Sequence, residues 1–134
     1  MPLSKNEWLA LEKKAFDLRK LTVQTTVWAG SGHFGGGMSV MDLLTVLYHK
    51  YLNIKVEEPQ WEDRDRFILS KGHAAIAYAP VLCDKGFNDV EMLKSFNLSG
   101  SKMGMHLDSN KVGGVDASTG SLGHGPSTAA GTAL

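Results

Sequence analysis

Five histidines are the residues of this chain best suited to chemistry, and four stand in glycine-rich settings. His33 lies inside GSGHFGGG, His73 follows Ser70-Lys71-Gly72, His106 follows Gly104-Met105, and His124 is flanked by Gly123 and Gly125. An imidazole both donates and accepts hydrogen bonds and exchanges its proton near neutral pH. Zinc is disfavoured as the purpose of the set. There is no His-x-x-x-His pair, and a single cysteine, Cys83, allows no Cys-x-x-Cys. No G-x-S-x-G elbow makes Ser101 or Ser121 a nucleophile. Imidazoles carried on separate glycine loops suit a polar, phosphorylated ligand and proton transfer at it. His49, between Tyr48 and Lys50, reads as surface.

The element that must position His73 is RFILSKGHAA, Arg66 to Ala75. Phe67-Ile68-Leu69 is a short continuous apolar run, as in a buried strand, and HAAIAYAPVL after it is helix-compatible. The pattern predicts strand, tight loop, helix, with the strand over Arg66 to Ser70 and His73 in the first helical turn. A helix start offers free N–H groups and positive potential to an anion. Two readings fit this stretch: Lys71 and His73 face an anion, or Lys71 is solvated and His73 merely begins a helix.

Around that centre the other elements follow from periodicity. Asn6 to Ala29 reads as an amphipathic helix, capped by Asn6 and stopped by Gly30. Leu11, Ala15, Leu18, Thr22 and Trp28 form its apolar stripe, which Leu9, Phe16 and Val23 widen. Gly30 to Gly37 holds five glycines in eight residues, too many for a helix, and reads as a site loop around His33. Ser39 is expected to cap a helix VMDLLTVLYHKYL, with Asp42 completing a partial capping box and Met41, Leu44, Thr45, Tyr48 and Leu52 buried. Asn53 to Arg66 is a mixed-charge connection rather than a metal cluster. Pro80 is expected to kink the central helix, which ends near Gly86. Asn88 to Asn97 predicts a short capped helix. After Leu98 the chain is rich in glycine and small residues and ends in a helix-compatible stretch.

With 134 residues the chain suits one domain, residues 1 to 134. Fourteen basic residues balance fourteen acidic ones, so no electrostatic case exists for nucleic acid or an anionic membrane. No apolar run is long enough to span a bilayer, and one cysteine fits a reducing compartment; a cytoplasmic location is expected.

SGHFGGGMS, DRDRFILSKGHAA, the His106 segment and VDASTGSLGHG together resemble the N-terminal, diphosphate-binding part of transketolases, in order and rough spacing. The resemblance covers nearly the whole chain. The STGSLG run is more similar to the short or two-chain bacterial and archaeal transketolases, and deoxyxylulose phosphate synthases match less well. It implies a thiamine diphosphate enzyme with Mg2+ or another divalent cation, moving a two-carbon ketol unit between sugar phosphates. By the same resemblance, His33 would contact the sugar and assist proton transfer, and His106 would contact the donor's hydroxyls. His73 would bond the diphosphate region, and Gly120, Ser121 and Leu122 would line the cofactor's rings. His124 stands where Gln is common and has a weaker role. Phe34 replaces the family's usual Pro, and Met105-His106-Leu107 replaces Gly-His-Pro.

The family's Gly-Asp-Gly and later Asn, which hold the metal, are not in this sequence, so no metal ligand is assigned. The expected fold is therefore an α/β, incomplete thiamine-diphosphate-binding domain, mostly helical with few strands. Such a chain is expected to need the remaining transketolase portion or a complementary C-terminal subunit, as a homodimer or heterotetramer when complete. The alternative is a non-catalytic remnant or binding module that keeps the sugar- and diphosphate-facing loops.

Overall fold

A computed structural model describes residues 2 to 134. Helix α1 (Lys5–Ala29) packs on α3 (Met41–Val46) and on the central α4 (Ala75–Lys85). Between them lie the short α2 (Phe34–Met38) and a π-helical turn, Leu47–Tyr51, and α5 (Gly125–Ala133) closes the chain. Two 3-10 turns, Gly72–Ala74 and Val90–Ser95, complete the regular structure.

Helix α4 is the core. Ala75 to Cys83 are buried without interruption, so the helix is enclosed on all sides rather than on one face. Its alanines let neighbours approach closely. Pro80 sits inside α4, and the helix runs through it to a left-handed Gly86 cap.

Helix α1 starts earlier than its sequence predicts. Ser4, not Asn6, is the N-cap: the Glu7 amide donates to Ser4 Oγ at 3.3 Å and the Ser4 amide donates to the Glu7 carboxylate at 2.9 Å. The Ser-x-x-Glu spacing of a capping box was present in the sequence. Gly30 stops the helix in the left-handed conformation, φ 64°. Ala15, Leu18 and Thr22 are buried as expected, but Leu9, Phe16 and Val23 face outward, Phe16 with 58% of its surface exposed. The buried stripe is thus narrower than apolar content alone implied.

Ser39 does not cap the next helix. The residue before α3 is Val40, with no side-chain cap, while Ser39 Oγ donates to the Gly36 carbonyl at 3.1 Å. Asp42 instead takes both Arg19 guanidinium nitrogens of α1, at 2.9 and 2.6 Å. The expected helix to Leu52 becomes α3 and then the π turn, closed by the Leu52 amide on the Leu47 carbonyl at 2.8 Å. The turn buries Tyr48, whose hydroxyl meets that of Tyr78 at 2.5 Å; Tyr78 also donates to the Gly114 carbonyl. Burial pushes both phenols well above their ordinary pKa. Asn88 to Asn97 forms only the 3-10 turn, with the Asp89 side chain accepting from the Glu91 amide.

His49 is not a surface residue. Its side chain is 17% exposed, with Nε2 3.3 Å from the Asp84 carboxylate, which also takes Lys14 at 2.9 Å. Burial lowers the His49 pKa, outweighing the Asp84 charge that raises it. The unfolded chain therefore binds this proton first as pH falls below about 6.5. Stability contributed at His49 is complete above that pH and is lost on moving down toward the depressed folded value. His49→Gln is expected to flatten the slope of urea midpoint against pH between 7 and 5. An unchanged slope would assign it to other groups.

Arg66 to Ser70 forms no strand, and none occurs among the described residues. The reason is its partners. The Phe67 amide donates to the Asp116 carboxylate at 2.7 Å, and the Leu69 carbonyl accepts from the Thr119 hydroxyl at 2.6 Å. Side chains, not a backbone ladder, take these two groups, and a strand exists only by pairing. The mostly helical, incomplete α/β domain thus contains no strand among the described residues.

Candidate functional site

The imidazole-bearing loops are assembled at the start of α4. The five-residue α2 is the first surprise, because Phe34-Gly35-Gly36-Gly37-Met38 has little intrinsic helix tendency. Packing overrides that. A Cβ on Gly37 would lie 2.9 Å from Ile76 Cγ2 and 3.1 Å from Ala77 Cβ, so only glycine lets α2 lie flat on α4. Lys71 then fixes the turn, donating to the Gly36 carbonyl and to Ser39 Oγ, each at 2.8 Å. Lys71 is therefore not simply solvated. It is a clip on the glycine helix, and its ammonium is held by two oxygens.

With α2 so placed, His33 at its start meets His73 edge to face, ring centroids 5.0 Å apart. Gly36 completes that corner: a Cβ there would lie 3.3 Å from His73 Cδ2 and Nε2. His73 stands in the 3-10 turn leading directly into α4. The predicted strand–loop–helix order therefore holds for the loop and helix, though not for the strand.

The second half of the site is an arch from Thr119 to Gly125. It is tied down at both ends, by the Thr119 hydroxyl on the Leu69 carbonyl and by the Gly125 amide on Ser70 Oγ at 3.1 Å. Between the ties Gly120, Ser121 and Leu122 are exposed, Leu122 to 67%. His106 stands beside the arch, its Cδ2 3.8 Å from where a Cβ on Gly120 would lie. His124 is exposed and accepts the first amide bond of α5 through its carbonyl.

Two connections join the halves. Gly72, next to His73, lies against the Thr119 backbone so closely that a Cβ would overlap it. The adjoining void, about 10 Å3, has barely room for one water. The other connection is Asn97, whose amide group donates to Ser31 Oγ at 2.9 Å and accepts from the Met105 amide at 3.2 Å. The structure therefore pairs His33 with His73 and His106 with Gly120, and links the pairs through Gly72 and Asn97. Lys71, Ser70, Thr119 and Asn97 were not singled out for these roles; nothing in sequence marks a polar side chain that will bond a distant loop. A cavity of about 140 Å3 under Tyr48, Phe67, Phe87 and the Arg64–Asp116 pair includes no histidine.

Free imidazole edges and an exposed leucine on a glycine arch, at the start of an eleven-residue helix, fit a phosphorylated ligand that also carries a flat ring. The same residues do not fit a cation. No group of three or more His, Cys, Asp or Glu side chains able to hold a metal occurs among the described residues.

Comparison with known proteins shows the family and the fold. Residues 11–134 match the model of the transketolase, thiamine diphosphate binding domain. The chain belongs to the transketolase family. Among curated proteins it is similar to the 6-deoxy-6-sulfo-D-fructose transketolase subunit of Clostridium sp. strain MSTE9, 40% identical over 92% of this chain and 45% of the relative. It is also similar to the transketolase of Rhodobacter capsulatus, 36% identical over 91% of this chain and 18% of that one. Among solved structures, transketolase from Leishmania mexicana superposes with a TM-score of 0.87 at 33% identity, covering 92% of this chain and 18% of that one. Transketolase from Campylobacter jejuni gives 0.83 at 31% identity, over all of this chain and 20% of that one. The chain thus spans less than half the length of these transketolases. The fold is that of their N-terminal, cofactor-binding part. No helix among the described residues is long and apolar enough to cross a membrane.

Proposed function

We propose that this chain is the N-terminal segment of a transketolase, moving a two-carbon ketol unit between sugar phosphates once the remaining portion, or a complementary C-terminal subunit, is joined to it. The observation that carries the reading is the meeting of His33 with His73 beside α2, joined through Gly72 to the arch next to His106. The relative named as a transketolase subunit supports a two-chain arrangement; a homodimer or a heterotetramer is the expected complete form.

Thiamine diphosphate, when bound, supplies the nucleophile and electron sink for breaking and making the carbon–carbon bond. The chain's own residues bind and orient. His73 takes the diphosphate region at the helix start. Gly120 and Ser121 give the rings a flat backbone bed, and exposed Leu122 covers them from water. His106 holds the donor's hydroxyls, and His33 accepts or returns a proton at the sugar hydroxyl. Mg2+, or another divalent cation, is held by ligands outside this chain. The cytoplasm, where sugar phosphates are at hand, is the proposed location.

Alone, residues 1 to 134 are expected to bind thiamine diphosphate more weakly than micromolar and to transfer nothing. A helix N-terminus contributes about 0.3–2 kcal/mol toward an anion. Micromolar binding requires about 8 kcal/mol. Lys71 keeps its charge, but it is tethered to Gly36 and Ser39 and is a single point charge rather than a bidentate clamp. The test is calorimetric titration of thiamine diphosphate with magnesium, plus a coupled transfer assay with a ketose phosphate and with 6-deoxy-6-sulfo-D-fructose as donors. With the complementary half added, transfer should appear, and His33→Ala or His106→Ala should lower it by about 100-fold. Micromolar binding or turnover by the isolated chain would show that these loops suffice. No transfer by the completed enzyme would favour a binding module.

A further inference from the structure

Asn97 is the one non-glycine residue with positive φ among the described residues, at 56°. Asparagine tolerates this left-handed conformation better than most residues, and an unusual backbone held in place by its surroundings often marks a working position. Here the surroundings are specific. The Asn97 backbone amide donates to the Met103 carbonyl at 2.7 Å, so the chain reverses tightly between Phe96 and Met105. The side chain then uses both ends of its amide group. Nδ2 donates to Ser31 Oγ in the loop that leads to His33, and Oδ1 accepts from Met105, the residue before His106. Ser31 is 66 residues away in sequence, so the contact is tertiary.

We propose that Asn97 is a positioning residue that clasps the His33 loop to the His106 segment and so sets the spacing between the two imidazoles that receive the sugar. The inference rests on the ketol-transfer reading. Nothing else among the hydrogen bonds joins these two loops directly. His73 and the arch are secured separately, by Gly72 against Thr119 and by Thr119 on Leu69. Loss of the clasp should therefore affect the sugar and spare the cofactor. That separation is what a merely structural role would not produce.

Three variants test it in the completed enzyme. Asn97→Gly keeps the left-handed backbone at no steric strain and removes the side chain. Ser31→Ala removes the other end of the clasp at an exposed position, so it spares the fold. Asn97→Asp keeps an acceptor for Met105 and lets the Ser31 hydroxyl donate instead. Asn97→Gly should speed hydrogen exchange at both the Met105 and the Gly37 amides. It should also raise the donor KM by about tenfold, well within the about 100-fold that a 1 Å misplacement costs. Thiamine diphosphate affinity should stay within about twofold of the parent. Ser31→Ala should raise the donor KM in the same direction, and Asn97→Asp should restore it. Faster exchange at Met105 alone, or an unchanged donor KM, overturns the proposal. If the parent enzyme transfers no ketol unit while both amides respond to Asn97→Gly, the clasp stands and the ketol-transfer reading falls.

Discussion

Gly72→Ala should lower the stability of the domain by about 3 kcal/mol, the upper end of what overpacking a filled interior costs. The new methyl would overlap the Thr119 carbonyl oxygen, with the carbonyl carbon at 2.6 Å and Oγ1 at 2.7 Å. Two of those atoms are backbone, and Thr119 is tied to Leu69 at 2.6 Å, so the arch has no small rotation by which to yield. Either the arch lifts or the start of α4 moves, and each separates His73 from Gly120. Gly120→Ala is the control. Its nearest neighbour would be His106 Cδ2 at 3.8 Å, ordinary contact, so stability should change by less than about 0.5 kcal/mol. Urea denaturation of the two variants decides the matter. Equal midpoints for Gly72→Ala and Gly120→Ala would show that the Gly72–Thr119 junction is not tight.

Asp116→Ala should be more damaging, by about 3–5 kcal/mol. Arg64 and Asp116 meet at 2.5 Å with side chains only 14% and 11% exposed. The second Asp116 oxygen accepts from the Phe67 amide at 2.7 Å. Truncation leaves a guanidinium buried without its counter-charge and a backbone amide without a partner. With Arg64 only 14% exposed, the desolvation it already suffers is no longer offset by a counter-charge. The double variant Arg64→Met/Asp116→Ala should recover most of the loss, because it removes the stranded charge and leaves only the amide unpaired. The thermodynamic cycle over the four proteins measures this. A double variant as unstable as the sum of the singles would mean that the charges act independently.

These two positions show where sequence reading stops. The glycine-bracketed histidines, the SKGHAA turn and the small-residue run around Ser121 are local features, and their chemistry is carried by residue type. So are the left-handed Gly30 stop and the run of apolar residues in α4. Such features act over a few residues, so the one-dimensional order carries them, and with them the resemblance to transketolases. What tertiary structure alone decided is everything that depends on a distant partner. A glycine-rich stretch became helix α2 because Ile76 and Ala77 accept its bare backbone and Lys71 clips it. An apolar run with the marks of a strand meets no neighbouring strand among the described residues, and Asp116 and Thr119 take its Phe67 amide and Leu69 carbonyl instead. His49 left the surface because α1 and α4 bring Lys14 and Asp84 over it. Asn97, which sequence marks only as the end of a short helix, became the tie between Ser31 and Met105. Hydrogen bonds across 35 to 70 residues leave no periodicity in the chain, and only folding brings their two ends together.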